Sequence, residues 1–431
     1  MSYNTLFGTV PQDWVVCKLS EIAQFRQGLQ ISKSERISQK ASGYIPLLKV
    51  TDLPKGIFSE YVTNIRENYI ATKKDVIYTR TGIVGEVYTN VTGCVHNNCF
   101  KVITSPDIID KNYLFYYLNS KQVKEYSNSV AAGSVQKDLN HGAFGSLVFA
   151  YPPLKNQIKI ANILSSLDDK IELNNKINKI LEELAQTLYK RWFVDFEFPN
   201  EDGEPYKSSG GKMVDSEFGT LPKGWSVKTL EDLSSNEKNA IVDGPFGTQM
   251  KISEYVESGI PIIEMYQLNG YENVEGYKNF ITEDKYQEVK RSTVKNGDII
   301  ISKTGTLGLL GLLNRKTEKA ILVSRLAKIT PNVGLIKSST MLVLMHYLSD
   351  SGHWYQIASG STMPLLNIGN IKKTKIVFPN ENIISYKFDS IVSDLIEKIN
   401  TNLRENFTLS RIRDELLPRL MNGEIEVPIE E

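Results

Sequence analysis

No apolar run in this chain approaches the ~20 residues that a helical bilayer span requires, so no membrane is expected among its partners. Its opening, MSYNTLFGTVPQDW, lacks the basic-then-apolar order of a secretory signal, and a cytoplasmic location is the expectation. The three cysteines, Cys17, Cys94 and Cys99, are too few and too irregular for a disulfide framework. Histidine is scarce as well, with four residues at no metal-binding spacing. Cys94, His96 and Cys99 lie close together, but no second ligand pair follows, and they read as small buried residues of a strand pair. Charge of neither sign prevails: 50 Lys and Arg stand against 50 Asp and Glu. Bulk attraction alone therefore cannot hold nucleic acid; a local basic face or a partner must supply it.

Signatures of catalysis are missing too. No Asp/Asn/Ser-Pro-Pro-aromatic run of the adenine-methyltransferase kind occurs. Tyr151-Pro152-Pro153-Leu154 reads as a strand exit ahead of a helix. There is no Gly-rich dinucleotide turn and no GxxxxGK[ST]. Glu283-Asp284-Lys285 has the acidic-x-Lys spacing of many nucleases, but such triplets are common on solvated loops. No catalytic residue and no metal ligand is expected.

What is present is an echo. VPQDWVVCKLSEI, Val10–Ile22, returns as LPKGWSVKTLEDL, Leu221–Leu233. YIPLLKVTDL (Tyr44–Leu53) returns as GIPIIEMYQL (Gly259–Leu268), and DVIYTRTGIVG (Asp75–Gly85) as DIIISKTGTLG (Asp298–Gly308). GSVQKDLN (Gly133–Asn140) returns as GSTMPLLN (Gly360–Asn367), and each leads into a strand ending in aromatic-Pro. The order never changes and the offset only grows, as loop insertions in the second copy would cause. The chain is a tandem duplication.

Each copy opens with short β-branched and aromatic runs punctuated by glycine, the pattern of strands. It closes with a long segment whose apolar residues recur at alternating three and four spacings, a coiled-coil period. In the first, Ile160, Leu164, Leu167, Ile171, Leu181, Leu188 and Trp192 share the stripe with Asn174, Asn178 and Ala185. In the second, Val392, Leu395, Ile399, Leu409, Leu416 and Leu420 share it with Asn402 and Asn406. At 1.5 Å per residue each helix is roughly 57 Å long and must bury its stripe, most simply against the other. Pseudo-two-fold symmetry makes the pair antiparallel, and asparagines in the seam fix its register.

The predicted fold is α+β: a tandem duplication of a strand-rich domain plus a long helix, the helices pairing as an antiparallel coiled coil. The expected boundaries are a first domain over 1–153, a helix over 154–193 and a polar linker over 194–218. A second domain follows over 219–379, a distal helix over 380–421 and a tail over 422–431.

The run from Pro152 to Trp225 carries a resemblance. Its helix, the stretch RWFVDFEFP (Arg191–Pro199) and the linker DGEPYKSSGG (Asp202–Gly211) resemble the specificity subunits of type I restriction–modification systems. The likeness spans the duplication and so essentially the whole chain. The second copy departs from the pattern where PLLNIGN replaces QKDLNHG and FPNENIISYKFDSI replaces the PPLKNQIKIANIL type. The resemblance implies a non-catalytic DNA ruler. Each strand-rich domain is a target recognition domain for one half of a split sequence in double-stranded DNA, and the helices set the gap. They also dock two adenine methyltransferase subunits, and two motor–nuclease (restriction) subunits join. No cofactor is bound directly; S-adenosylmethionine, ATP and magnesium belong to those partners. Two other readings stay open: a fused restriction or methylation enzyme with an unrecognised site, and a structural coiled-coil tether.

Bases are read by a few polar side chains on loops. The candidates in the first domain are Arg26, Gln27, Lys49, Arg80, Thr81, Ser134, Gln136 and Lys137. In the second they are Gln249, Lys251, Lys303, Thr304, Ser361 and Thr362. Arg80-Thr81-Gly82 and Lys303-Thr304-Gly305 occur in both copies, so this motif serves either the fold or a phosphate if the two half-sites differ. Tyr189, Trp192 and Phe193 on the first helix, and Ile412, Leu416 and Leu420 on the second, are candidates for partner contacts.

Overall fold

The computed structural model describes residues 4–133, 137–313, 319–360 and 362–427. The chain forms two compact units: residues up to Ile171 together with those from Phe407 onward, and Glu172–Asn406.

In the first unit, two four-stranded sheets carry the strand-rich domain. One orders its strands Ala23–Gln27, Cys99–Thr104, Val76–Thr79, Val87–Tyr88. The other orders Tyr61–Val62, Ile45–Leu48, Gly93–Val95, Ile70–Ala71, with one parallel contact, between Ile45–Leu48 and Gly93–Val95. The second unit repeats both orders. Ile241–Asp243, Leu326–Ile329, Ile299–Ser302 and Leu310–Leu312 form one sheet. Phe280–Ile281, Ile260–Ile263, Ala320–Leu322 and Thr293–Val294 form the other, with its parallel contact in the same place. The strand after each Pro-x-x-Trp start pairs with the aromatic-Pro strand that ends the copy: Val15–Lys18 with Val148–Tyr151, and Trp225–Thr229 with Lys375–Pro379. The echo thus marks where each domain closes on itself.

One ion pair was duplicated with the fold. Lys101 Nζ lies 3.6 Å from Asp75, and its counterpart Lys328 Nζ lies 2.9 Å from Asp298. Asp298 is fully buried and also accepts from the Thr330 hydroxyl at 2.6 Å. A buried carboxylate survives in the interior only with partners of this kind.

The long helices span Leu154–Tyr189, followed by a π-helical turn over Lys190–Val194, and Asn382–Met421. They run antiparallel within each unit. In the first, Arg413 Nη1 donates to Asp168 at 2.5 Å, and Ile160 and Leu164 share a core with Leu420 and Met421. In the second, Asn174 Nδ2 donates to Asn406 Oδ1 at 2.9 Å and Asn402 Nδ2 to Asn178 Oδ1 at 2.7 Å. All four asparagines are buried, as a register-setting seam requires.

Two expectations change. Tyr189, Trp192 and Phe193 belong to the core of the second unit and not to a partner surface. Phe193 stacks on Phe378 at 5.4 Å, and Trp192 sits 5.5 Å from Phe388. Leu420 is buried and Leu416 half-buried in the first unit, while Ile412, one position off the stripe, is exposed. Large rings at a helix end bury more area in a domain core than on a surface. The stretch after the first helix is also not merely a tether: Phe198 stacks on Trp225 at 5.2 Å, and Met213–Ser216 forms a hairpin with Gly219–Pro222.

Candidate nucleic-acid interface

In each unit, four segments meet at one end of a four-stranded sheet, and backbone hydrogen bonds tie them together. In the first, Gly28 N–H donates to Cys99 O at 3.0 Å and Arg80 N–H to Asn98 O at 2.8 Å. Leu139 N–H then donates to Arg80 O at 3.0 Å, and Ala132 and Asp138 exchange bonds at 2.9 and 2.8 Å. The second unit repeats each link. Gly244 N–H reaches Leu326 O at 3.0 Å, Lys303 N–H reaches Arg325 O at 2.9 Å, and Leu366 N–H reaches Lys303 O at 2.9 Å. Ser359 and Leu365 exchange two bonds at 2.9 Å.

Glycine is demanded at two of these places. A Cβ on Gly28 would stand 2.2 Å from His96 O, and one on Gly244 would stand 2.1 Å from Val323 O. Gly82 and Gly305 hold φ of 85° and 76°, a region costly for side chains with a Cβ.

The side chains on this frame diverge. Arg80 donates to Gln27 Oε1 at 2.7 Å and to Asp138 Oδ2 at 2.6 Å, while the Thr81 hydroxyl donates to Asp138 Oδ1 at 2.5 Å. Lys303 instead pairs with Asp243 Oδ2 at 2.8 Å, and Arg291 takes the other oxygen at 2.6 Å. Asp243 occupies the position of Gln27, and Leu365 that of Asp138, as the shared backbone bonds establish. Each copy keeps a cation at the hairpin root; only the segment supplying its counter-charge differs. A cation withdrawn from water must be paired, so the shared Arg/Lys-Thr-Gly motif ties loops together. Lys303, with a side chain 8% exposed, has no free ammonium for a ligand.

The other candidates scatter. Lys137 Nζ donates to Asn128 O at 2.9 Å beside the Arg80 network. Arg26 lies in register with Lys101, on the opposite strand face from Gln27. Lys49 is held by Glu60 at 3.1 Å and Ser59 at 2.8 Å. Gln249 closes its own loop by accepting from Phe246 N–H at 3.1 Å. Lys251 and Thr362 are exposed, while Thr304 pairs with Leu365. Ser134, Gln136 and Ser361 lie outside the described residues.

Sequence reading missed the fourth segment, a tight turn. Cys99 N–H donates to His96 O at 2.9 Å, and Leu326 N–H to Val323 O at 3.0 Å, so Asn97-Asn98 and Ser324-Arg325 occupy equivalent corners. The signal was there: Lys101 and Lys328 each follow two residues after the turn. It was hidden because HNN and VSR share no chemistry.

The comparisons with known proteins agree with this architecture. The family model of the type I restriction modification DNA specificity domain matches residues 11–183 and again 222–405. The MjaIX specificity subunit of a type I restriction enzyme from Methanocaldococcus jannaschii is 30% identical, over 98% of this chain and 96% of that protein. The HindI specificity subunit of Haemophilus influenzae is 27% identical, over 82% of this chain and 87% of that protein. Among solved structures, the S subunit of a type I restriction–modification system from M. genitalium has the same fold. Its TM-score is 0.58 at 17% identity, with 95% of this chain and 96% of that one covered. Two matched domains, each ending in a long helix of one antiparallel pair, place the chain in the family of type I restriction–modification DNA specificity subunits.

Proposed function

We propose that this chain reads a bipartite target in double-stranded DNA, one half-site per recognition domain, with the paired long helices setting the gap. The observation that carries this is the duplicated frame with divergent side chains. The same four segments meet at the same end of the sheet in both units, held by matching backbone bonds, yet their exposed residues differ. Such a frame suits two readers of different sequences, because backbone bonds hold position while side chains reaching base edges specify.

In this reading the chain has no catalytic role of its own. Two methyltransferase subunits bring S-adenosylmethionine and methylate adenine. Two motor–nuclease subunits bring ATP and magnesium. The chain's net charge of zero leaves most phosphate attraction to those partners and to local cations. Such a complex works in the cytoplasm, where the DNA it marks is found.

The test is long-read sequencing of DNA from cells that express the chain with its methyltransferase partner. The expected result is a split motif carrying 6-methyladenine on both strands, lost when the gene is deleted. A bound, expressed methyltransferase that marks no split motif would refute the proposal.

A further inference from the structure

We propose that the tight turn Val323–Leu326 is a base-reading element of the second recognition domain, and that Arg325 on it recognises a guanine. This rests on the DNA-reading function proposed above.

Three observations converge on that residue. First, Arg325 is exposed and its guanidinium has no hydrogen-bond or ion-pair partner among the described residues. The neighbouring cations are spent: Asp243 holds both Lys303 and Arg291, through separate oxygens. Second, its backbone is rigid. Arg325 O accepts from Lys303 N–H at 2.9 Å, the turn is closed by Leu326 N–H, and Gly244 packs against Val323 O too closely to admit a Cβ. A reader needs such support, since a displacement of an ångström loses a bidentate contact. Third, the frame is shared but the corner is not. The first unit holds the neutral, half-buried Asn98 at this position, so the domains differ here in charge and in reach.

The chemistry then selects the base. A guanidinium presents two parallel N–H donors, and guanine presents two acceptors, O6 and N7, on its major-groove edge.

The experiment compares wild type, Arg325→Lys and Arg325→Ala, each expressed with its methyltransferase, by methylation mapping. Wild type should yield a split motif with a guanine in one half-site. Arg325→Ala should keep methylating but become degenerate at that one guanine, discrimination there falling by about 10- to 100-fold. The other half-site should not change. Lysine keeps the charge and donors but not the planar fork, so Arg325→Lys should relax the same position to a lesser degree. An unchanged motif in both would overturn the inference. So would a uniform loss at all sites in Arg325→Ala that Arg325→Lys restores, since that marks a phosphate contact. Loss of all methylation by both variants, with the complex still assembled, would also overturn it. A wild type without any split motif would instead refute the DNA-reading function itself.

Discussion

Lys303 Nζ lies 2.8 Å from the Asp243 carboxylate, and both side chains are largely withdrawn from water. The pair joins the hairpin root to the strand end that starts the Gly244–Met250 loop. Removing Asp243 leaves the buried Lys303 ammonium unpaired, which is costly, while removing both leaves only the exposed Arg291, which water can solvate. Asp243→Leu should therefore lower the unfolding free energy by about 3 kcal/mol. The double variant Lys303→Met/Asp243→Leu should recover most of it, as measured by urea unfolding. An undisturbed Asp243→Leu would mean that the pair does not organise the loops.

The first domain answers differently. Asp138 is half exposed, so its bond to Arg80 is screened, and Asp138→Asn should cost about 1 kcal/mol or less. Its effect should be local. The Ala132 amide, bonded to Asp138 O at 2.9 Å, should exchange its hydrogen faster while the sheet amides hold. Hydrogen exchange with mass or NMR detection reads this directly.

In the helix seam, Asn402 Nδ2 donates to Asn178 Oδ1 at 2.7 Å. Asn402→Leu strands the Asn178 amide and should destabilise by about 1–3 kcal/mol. Replacing both by Leu should raise stability and weaken register, because apolar seams tolerate sliding. Disulfide trapping between helix positions shifted by one heptad would report the slip; a single trapped register in the double variant would contradict it.

Acid should weaken the second unit through His346. This ring stacks on Tyr271 at 4.1 Å, and burial pushes its pKa down to about 4. Unfolded, it titrates near 6.5, so between those values the unfolded chain takes a proton that the folded one refuses. Stability is full above pH 6.5 and falls toward pH 4 by about 3 kcal/mol. Burial raises Glu182, Glu272 and Asp350 instead, and these run with opposite sign. The difference between wild type and His346→Gln isolates the histidine: its pH slope should vanish in the variant.

Glu182 makes the converse case. Burial first, then the charges of Glu272 and Glu183, hold its carboxyl above the usual range. Its folded pKa exceeds the unfolded one, so the charged form is penalised above that folded value. Glu182→Gln should melt higher than wild type at pH 7, and the gap should close as the pH falls toward 4. Thermal melts at both pH values check it.

The helix ends show how far periodicity carries. A three-and-four repeat identifies the stripe but does not distinguish what covers it. Ile160, Leu164, Val392 and Ile399 are buried by the helix pair and its domains, as their spacing implies. Trp192 obeys the same period and yet belongs to the core of the second unit, with Tyr189 and Phe193 beside it. The reading loops behave likewise. Arg80 and Lys303 stood out because they repeat, and repetition turned out to mark the frame. Arg325 was invisible because it does not repeat.

The sequence alone determined the duplication, the two strand-rich domains, the long helices and the asparagine register, because all of these rest on local pattern and on self-similarity within one chain. Only the tertiary structure decided which side chains meet. That Asp243 stands where Gln27 stands, and that its carboxylate is consumed by Lys303 and Arg291 while Arg325 has no partner among the described residues, depends on residues tens of positions apart. Charge pairing and burial are set by distance in space, and spacing along the chain carries no record of them.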